Sequence, residues 1–420
     1  MTLINHHRFG LAAVFAAFAA GYFMSYALRA VNAVVGVDIA TDLALGPERL
    51  GLLTSAYLVA FALLQLPLGV WLDKYGARRV ETMLLLLAAA GCAVFALAQS
   101  FTWLFIGRAM IGFGVSACLM AAVTSFRLWY PPEKQSQLAA WMLVVGTTGA
   151  LMATVPARGL ADIWGWRGVF WLAAGMLCVA AAVLYAIVPE HCSEIQKSED
   201  TSAKTNQAVT QWTYGMIFRR QSLVATAPIA LLGQGGFIAL QTLWAGPWFI
   251  KVLGATPKMA SQYLLYLNAG LLVTYLVMSV VSPKISRNIP LERKLILLMF
   301  ALCTALIGVI ATWHHPNAWI VWPVMAAAST ATMLLQARVS VSLPREIAGR
   351  GNVSLNLLIF VGAFLVQWGM GALVETMMRM GYSEAQAYSA GVYSIAIAFA
   401  FSIVWLAYFW PRGVNFDSEK

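Results

Sequence analysis

Twelve apolar stretches of about twenty residues, separated by short polar turns, fill this 420-residue chain. A helix rises about 1.5 Å per residue, so about twenty apolar residues cross a bilayer core roughly 30 Å thick. A chain that is 61% hydrophobic and only 10% charged cannot present that surface to water. An all-α membrane protein with twelve transmembrane helices is expected, with the lipid bilayer as its solvent. The stretches place helices over 10–35, 50–72, 80–99, 103–128, 137–157, 168–188, 221–250, 261–282, 294–313, 317–342, 352–374 and 387–409.

Length consumed by spans leaves no room for a separate soluble enzyme. No Ser-His-Asp, nucleotide-loop, metal or paired-carboxylate arrangement is present, so no catalytic residue, metal or cofactor is expected. His314 and His315 read as solvated groups in an external turn. Cys92, Cys118, Cys178 and Cys303 fall inside apolar runs and Cys192 in a loop, which fits packing rather than a disulfide framework. A net charge of +10 spread through short loops points to topology and not to nucleic acid. With the amino terminus inside, cytoplasmic loops and termini, together with Arg127 and Lys294 at the adjoining span ends, hold 18 of the 27 Lys and Arg, against six outside. That bias predicts both termini in the cytoplasm of a cytoplasmic (inner or plasma) membrane. The segment Met1–Arg8 precedes a run with no small-residue cleavage site, so the first span is expected to be retained.

The longest polar stretch, Pro189 to Arg220, reads as a cytoplasmic linker between two halves. The expected organisation is an N-terminal six-helix bundle over 1–188, the linker over 189–220 and a C-terminal bundle over 221–420. The halves echo each other: Trp129-Tyr130-Pro131-Pro132-Glu133 ends the fourth span and Leu343-Pro344-Arg345-Glu346 the tenth. A six-plus-six repeat is the plan of a rocking transporter with its substrate near the midplane.

The turn between the second and third spans reads Gly69-Val70-Trp71-Leu72-Asp73-Lys74-Tyr75-Gly76-Ala77-Arg78-Arg79. With twelve spans, it resembles the major facilitator superfamily, whose corresponding turn follows Gly-x-x-x-Asp-Arg/Lys-x-Gly-x-Arg/Lys-Arg/Lys. Gly107-Arg108 with Gly112 and Gly114 resembles that family's second motif, and Gly165-Trp166-Arg167-Gly168 its approach to the sixth helix. The resemblance implies two pseudo-symmetric six-helix bundles working by alternating access, with Gly69, Asp73, Lys74, Gly76, Arg78, Arg79 and Arg108 in structural or gating roles. Gly69 is expected to let two helices approach and Gly76 to make a tight turn. The fifth-helix motif of drug-proton antiporters is not matched by Gly146 to Pro156.

An arginine inside a span costs about 2.5–3.5 kcal/mol on insertion scales and marks a cavity or a partner. Tyr22, Ser25, Tyr26, Arg29 and Asn32 recur at three- and four-residue steps on one stripe of the first helix. Tyr26-Ala27-Leu28-Arg29 resembles the first helix of the organic-phosphate antiporters and anion:cation symporters, which implies an arginine binding an anionic substrate. A guanidinium fork fits a carboxylate. No second arginine lies in the seventh span, so a monoanion fits better than a sugar phosphate. Tyr57, Gln65, Trp141, Gln234, Gln241, Asn268 and Asn356 are further candidates for substrate contact, each equally able to make an interhelical hydrogen bond. Arg338 reads as snorkelling at the cytoplasmic end of the tenth span, and no Asp or Glu as lying deep in any span. The expected function is transport of a small organic anion, a carboxylate, by a monomer. Export of hydrophobic drugs or metabolites and a non-transporting membrane sensor are the alternatives.

Overall fold

The computed structural model describes residues 10–130, 134–189, 214–342 and 348–413, which are helical throughout with no strand among them. Among the described residues, eleven helical stretches are long and apolar enough to cross a membrane. One of them, Trp141–Ile187, has 47 residues, about twice what one crossing needs. It folds back on itself and supplies two spans, which gives the twelve expected.

The chain forms two compact units. The first contains residues 1–191 with 241–250 and 255–268. Its helices are α1 (Leu11–Ala30), α2 (Asn32–Asp42), α3 (Pro47–Tyr75), α4 (Ala77–Leu97), α5 (Phe101–Val115), α6 (Cys118–Trp129), α7 (Gln135–Met152) and α8 (Val155–Ile187). The first helical stretch is longer than the sequence pattern indicates: α1, the candidate span, and α2 run almost continuously from Leu11 to Asp42 and break only at Val31. The turn expected over 158–167 shrinks to Gly165, whose φ of 69° supplies the reversal inside α8. Gly is permissive there because it lacks the Cβ that makes positive φ costly.

Close backbone approach builds this unit. A Cβ on Gly107 would stand 2.8 Å from the Phe95 nitrogen, one on Gly91 2.8 Å from the Ile111 nitrogen, and one on Gly112 2.3 Å from the Tyr57 carbonyl oxygen. The glycines of the fourth span therefore seat α5 against both α3 and α4. Residues of the seventh span join the same unit, with Gly246 pressed on the Ala33 backbone.

The second unit contains residues 192–240, 251–254 and 269–420. Tyr214–Phe218 forms a short helix, α9, inside the segment expected to be linker; the linker residues 190–213 lie outside the described residues. Next come α10 (Gln221–Pro228), α11 (Gly235–Ala239) and α12 (Ala245–Lys251), joined by π-helical turns at Ile229–Gln234 and Leu240–Trp244. The remaining helices are α13 (Pro257–Ile285), α14 (Ile289–Thr312), α15 (Val321–Ser329), α16 (Ala331–Ser342), α17 (Ala348–Arg379) and α18 (Glu384–Gly413), with a 3-10 turn at Pro316–Ile320. The seventh and tenth spans are thus assembled from pieces, whereas the eighth is one continuous helix; residues 241–250 of the seventh and 257–268 of the eighth fall in the first unit. Ile217, Leu223, Ala230, Val339, Leu355 and Ile359 form a core cluster of the second unit. The Pro-Arg-Glu echo at 343–346 lies outside the described residues.

Candidate functional site

The helical stripe of α1 builds the site. Tyr22 and Tyr26 meet edge to face with ring centroids 5.0 Å apart and their hydroxyls 3.3 Å apart. Both rings lie over α7 at Gly146, where a Cβ would stand 2.7 Å from Tyr22 and 3.0 Å from Tyr26. One turn further, the half-buried Arg29 guanidinium sits 5.0 Å from the Tyr26 ring, 5.2 Å from Phe61 and 5.9 Å from Tyr57. Each ring face offers quadrupolar attraction to a cation, about 0.5–2 kcal/mol depending on desolvation.

Tyr57 and Arg108 fix this arrangement from behind. The buried Tyr57 hydroxyl donates to the Ser25 carbonyl at 3.1 Å, and its ring stacks along Phe61. Arg108 is fully buried, lies 4.9 Å from the Tyr57 centroid and donates through Nη1 to the Leu28 carbonyl at 3.0 Å. Tyr57 therefore stands between two guanidiniums. Arg108 holds the backbone immediately before Arg29, so it positions α1 from deep inside the bundle.

Helix breaks are satisfied by side chains at the same place. The fourth span is interrupted between α5 and α6, and the carbonyls there are taken by neighbours. Ser25 Oγ donates to the Val115 carbonyl at 3.4 Å, and Gln65 Nε2 donates to the Ser116 carbonyl at 3.1 Å. Broken helices persist at membrane depth only where such groups re-satisfy the backbone. Gln65 is thus a strut between the second and fourth spans. Asn32 is also structural in its contacts: it is fully buried and donates through Nδ2 to Thr54 at 3.1 Å.

The other candidates divide. Gln241 donates to Asn268 Oδ1 at 2.9 Å, and Asn268 donates to the Leu264 carbonyl at 2.8 Å, so these two form one polar pair in the first unit. Gln234 and Gln241 each lie in a π-helical turn, a feature that widens a helix and recurs at functional sites. Trp141, 54% exposed, and the exposed Asn356 are not packed into the Arg29 cluster.

At the motif turn, Gly76 has φ 77° and ends α3, as a tight turn requires. At Gly69, among the described residues, nothing lies within 4 Å of a Cβ built on it. Lys74 is exposed beside the Tyr75 ring, and Arg78 stacks 4.2 Å from Tyr185 of α8. Arg79 is exposed, while the Asp73 side chain lies outside the described residues.

Two acids in the opening turns of spans, and not deep within them, are nevertheless buried. Glu81 in α4 is fully buried, within the candidate span Ala77–Leu97. Its signal was present in the sequence: Glu81, Leu85, Ala88, Cys92 and Phe95 follow four- and three-residue steps, and all five are 0% exposed. Glu292 in α14 is the other, paired with Arg338 and accepting from Ser286 Oγ at 2.7 Å. Arg338 therefore does not snorkel; its side chain is 10% exposed and neutralises an acid that is 1% exposed.

Three acids at helix ends of the first unit are paired. Asp38, the acid nearest in sequence to Arg29, pairs with Arg158, which also holds Asp162 at 2.7 Å. Arg167 pairs with Asp42, and Trp166 Nε1 donates to the same carboxylate at 3.2 Å. The Arg167 guanidinium holds the Asp42 carboxyl below the usual carboxylate range.

Alongside α1, separate from the arginine cluster, Phe23, Ala27, Val31, Pro156, Val169 and Met176 line part of an apolar cavity of about 200 Å³. Its wall carries no charge.

The comparisons with known proteins converge. A chloramphenicol resistance protein of Streptomyces lividans is 36% identical over 154 residues, covering 36% of this chain and 38% of its own. A probable galactarate/D-glucarate transporter, GarP of Escherichia coli (strain K12), is 29% identical over 154 residues, 35% of this chain and 34% of its own. The chain thus matches well under half the length of these curated relatives. A crystal structure of a D-xylose-proton symporter shares the fold with a TM-score of 0.77 at 15% identity, over 98% of this chain and 99% of that one. The sequence profile described as Major Facilitator Superfamily matches residues 18–366. With its membrane-crossing helices and that match over most of its length, the chain belongs to the major facilitator superfamily of membrane transporters.

Proposed function

We propose that this transporter moves a small organic anion, a carboxylate, by alternating access, and that Arg29 holds the anionic group. The observation that carries the reading is a half-buried guanidinium on the inner stripe of the first span, faced by Tyr26, Tyr57 and Phe61. Aromatic faces ease the desolvation of a cation but bring no net charge, so a carboxylate is the natural complement. Tyr26 orients it, and Arg108 and Tyr57 fix the geometry of the cluster. Gln234, Gln241, Asn268 and Asn356 complete the site when the substrate is enclosed. The relative named as a galactarate/D-glucarate transporter supports a carboxylate class.

The two halves, 1–188 and 221–420 joined by the linker 189–220, rock about the substrate, with Asp73, Lys74, Arg78 and Arg79 in the cytoplasmic gate. The threefold excess of Lys and Arg in the loops on one side favours both termini in the cytoplasm of a cytoplasmic membrane. The protein works as a monomer.

A thermal-shift screen of purified protein against carboxylates, phosphates and lipophilic cations tests the reading, repeated on Arg29→Gln. Stabilisation by a monocarboxylate such as D-gluconate, lost in the variant, is expected. The uncharged cavity beside α1 and the relative named for chloramphenicol resistance favour a second reading, export of hydrophobic compounds. Stabilisation by lipophilic compounds, equal in both proteins, would put that reading first.

A further inference from the structure

We infer that Glu81 is a proton-binding site: a carboxyl group that is neutral while sealed among α1, α4 and α6, and that exchanges its proton with water when these helices part. Among the described residues neither Glu81 oxygen has a nitrogen or oxygen hydrogen-bond partner, although the side chain is fully buried inside a span; only the weak donor of the Cys118 thiol stands near it. A charge sealed there without a counterion is costly, and a proton removes the cost. Space for the group is built in. Oε1 lies 2.7 Å from where a Cβ of Gly21 would stand, so the carboxyl occupies a notch in the middle of α1 that a side chain would fill.

Among the described side chains, no cation faces this notch. From α6 the Cys118 thiol meets the carboxyl, and from α1 Tyr22 follows Gly21 and turns its hydroxyl to Tyr26. On α4 itself, Arg78 is stacked on Tyr185 of α8, Arg79 is exposed, and Cys92 lies three turns away on the same buried stripe. From α5, Arg108 is directed to Leu28 and Tyr57, and at the end of α3 Lys74 is exposed beside Tyr75. On α8, Arg158 is held by Asp38 and Asp162 and Arg167 by Asp42, so each described base on these elements is engaged elsewhere or exposed; the Arg127 side chain of α6 lies outside the described residues.

The proton step is simple. The O–H bond of the Glu81 carboxyl breaks, water takes the proton as hydronium, and the reverse reaction restores the acid. A proton carried on Glu81 offsets the negative charge of a carboxylate held by Arg29. The proton site itself stands on the geometry of α1, α4 and α6; only this link to transport rests on the proposed anion function.

Infrared spectra of the protein in liposomes read the protonation state without any substrate. At pH 7 the wild type is expected to show a carboxylic C=O band that disappears in alkaline buffer. The band is lost in Glu81→Gln, which keeps the volume and neutrality of the acid, and returns in Glu81→Asp. A wild-type spectrum without the band, or a Glu81→Gln spectrum that retains it, overturns the proton site. For the link to transport, the monoanion D-gluconate is the probe: the wild type accumulates it under a pH gradient, and Glu81→Gln equilibrates it without accumulation. Equal accumulation by both overturns the link. If neither moves D-gluconate, the anion reading has failed, and the infrared band still decides the proton site.

Discussion

Glu81 and Glu292 are buried glutamates in the opening turns of the third and ninth spans, and their surroundings differ. Glu292 receives Arg338 and the Ser286 hydroxyl, so its negative charge is matched and its oxygens are occupied. Glu81 meets a glycine notch and a thiol, with no described base against it. Burial alone therefore does not fix what a carboxylate does in a membrane bundle. A matched charge becomes a weld that resists any change of state. An unmatched one is stable only as the neutral acid, and that makes it responsive to the proton.

The largest effect should come from breaking the weld. Arg338→Gln leaves Glu292 buried without its cation, and such losses cost about 3–5 kcal/mol. Thermal melting in detergent should show a large drop, and replacing both partners, Arg338→Met with Glu292→Leu, should recover most of it. Loss below about 1 kcal/mol, the range of exposed pairs, would erase the contrast with Glu81.

A second substitution acts on the notch. Gly21→Ala places a methyl against Glu81 Oε1, the far end of a flexible side chain that can turn away. Overpacking typically costs about 1–3 kcal/mol, while Ala in place of Gly within a helix returns about 0.5–1 kcal/mol. The net change in melting is therefore expected to be modest. The displaced carboxyl should be visible as a shift of its infrared band, and an unchanged band would mean that the notch does not shape the acid's surroundings.

Much of this was legible in the sequence and some was not, for identifiable reasons. The number of spans follows from length and hydropathy, because lipid enforces helices of one minimum size. The stripe from Tyr22 to Arg29 was readable from a 3.6-residue period, and the structure brings Tyr26, Arg29 and Tyr57 together. Asn32 lies on that stripe yet donates to Thr54, since a stripe gives direction around a helix but not the neighbour it meets. Gly69 fitted a motif whose spacing says nothing about which helices touch. The buried acids escaped because each opens a span beside basic loop residues, where composition suggests a solvated turn. Only the stripe below Glu81 betrays its direction.

The smallest effect tests whether burial, and not the pairing of an acid with an arginine, separates these sites. Asp42 and Arg167 form the same chemical pair as Glu292 and Arg338, but their side chains are 44% and 38% exposed. Arg167 lowers the Asp42 carboxyl below its ordinary range. A depressed folded-state value contributes stability above the unfolded carboxyl's pKa of about 3.9, and that contribution is lost as pH falls through the folded value. Solvent screening keeps it small. Asp42→Asn should thus lower the melting temperature slightly at pH 7, and the gap from wild type should close as the buffer is acidified below about pH 3.9. A drop at pH 7 as large as that of Arg338→Gln would show that exposure does not weaken the pair, and the distinction between weld and proton site would then have to rest on the presence of a counterion alone.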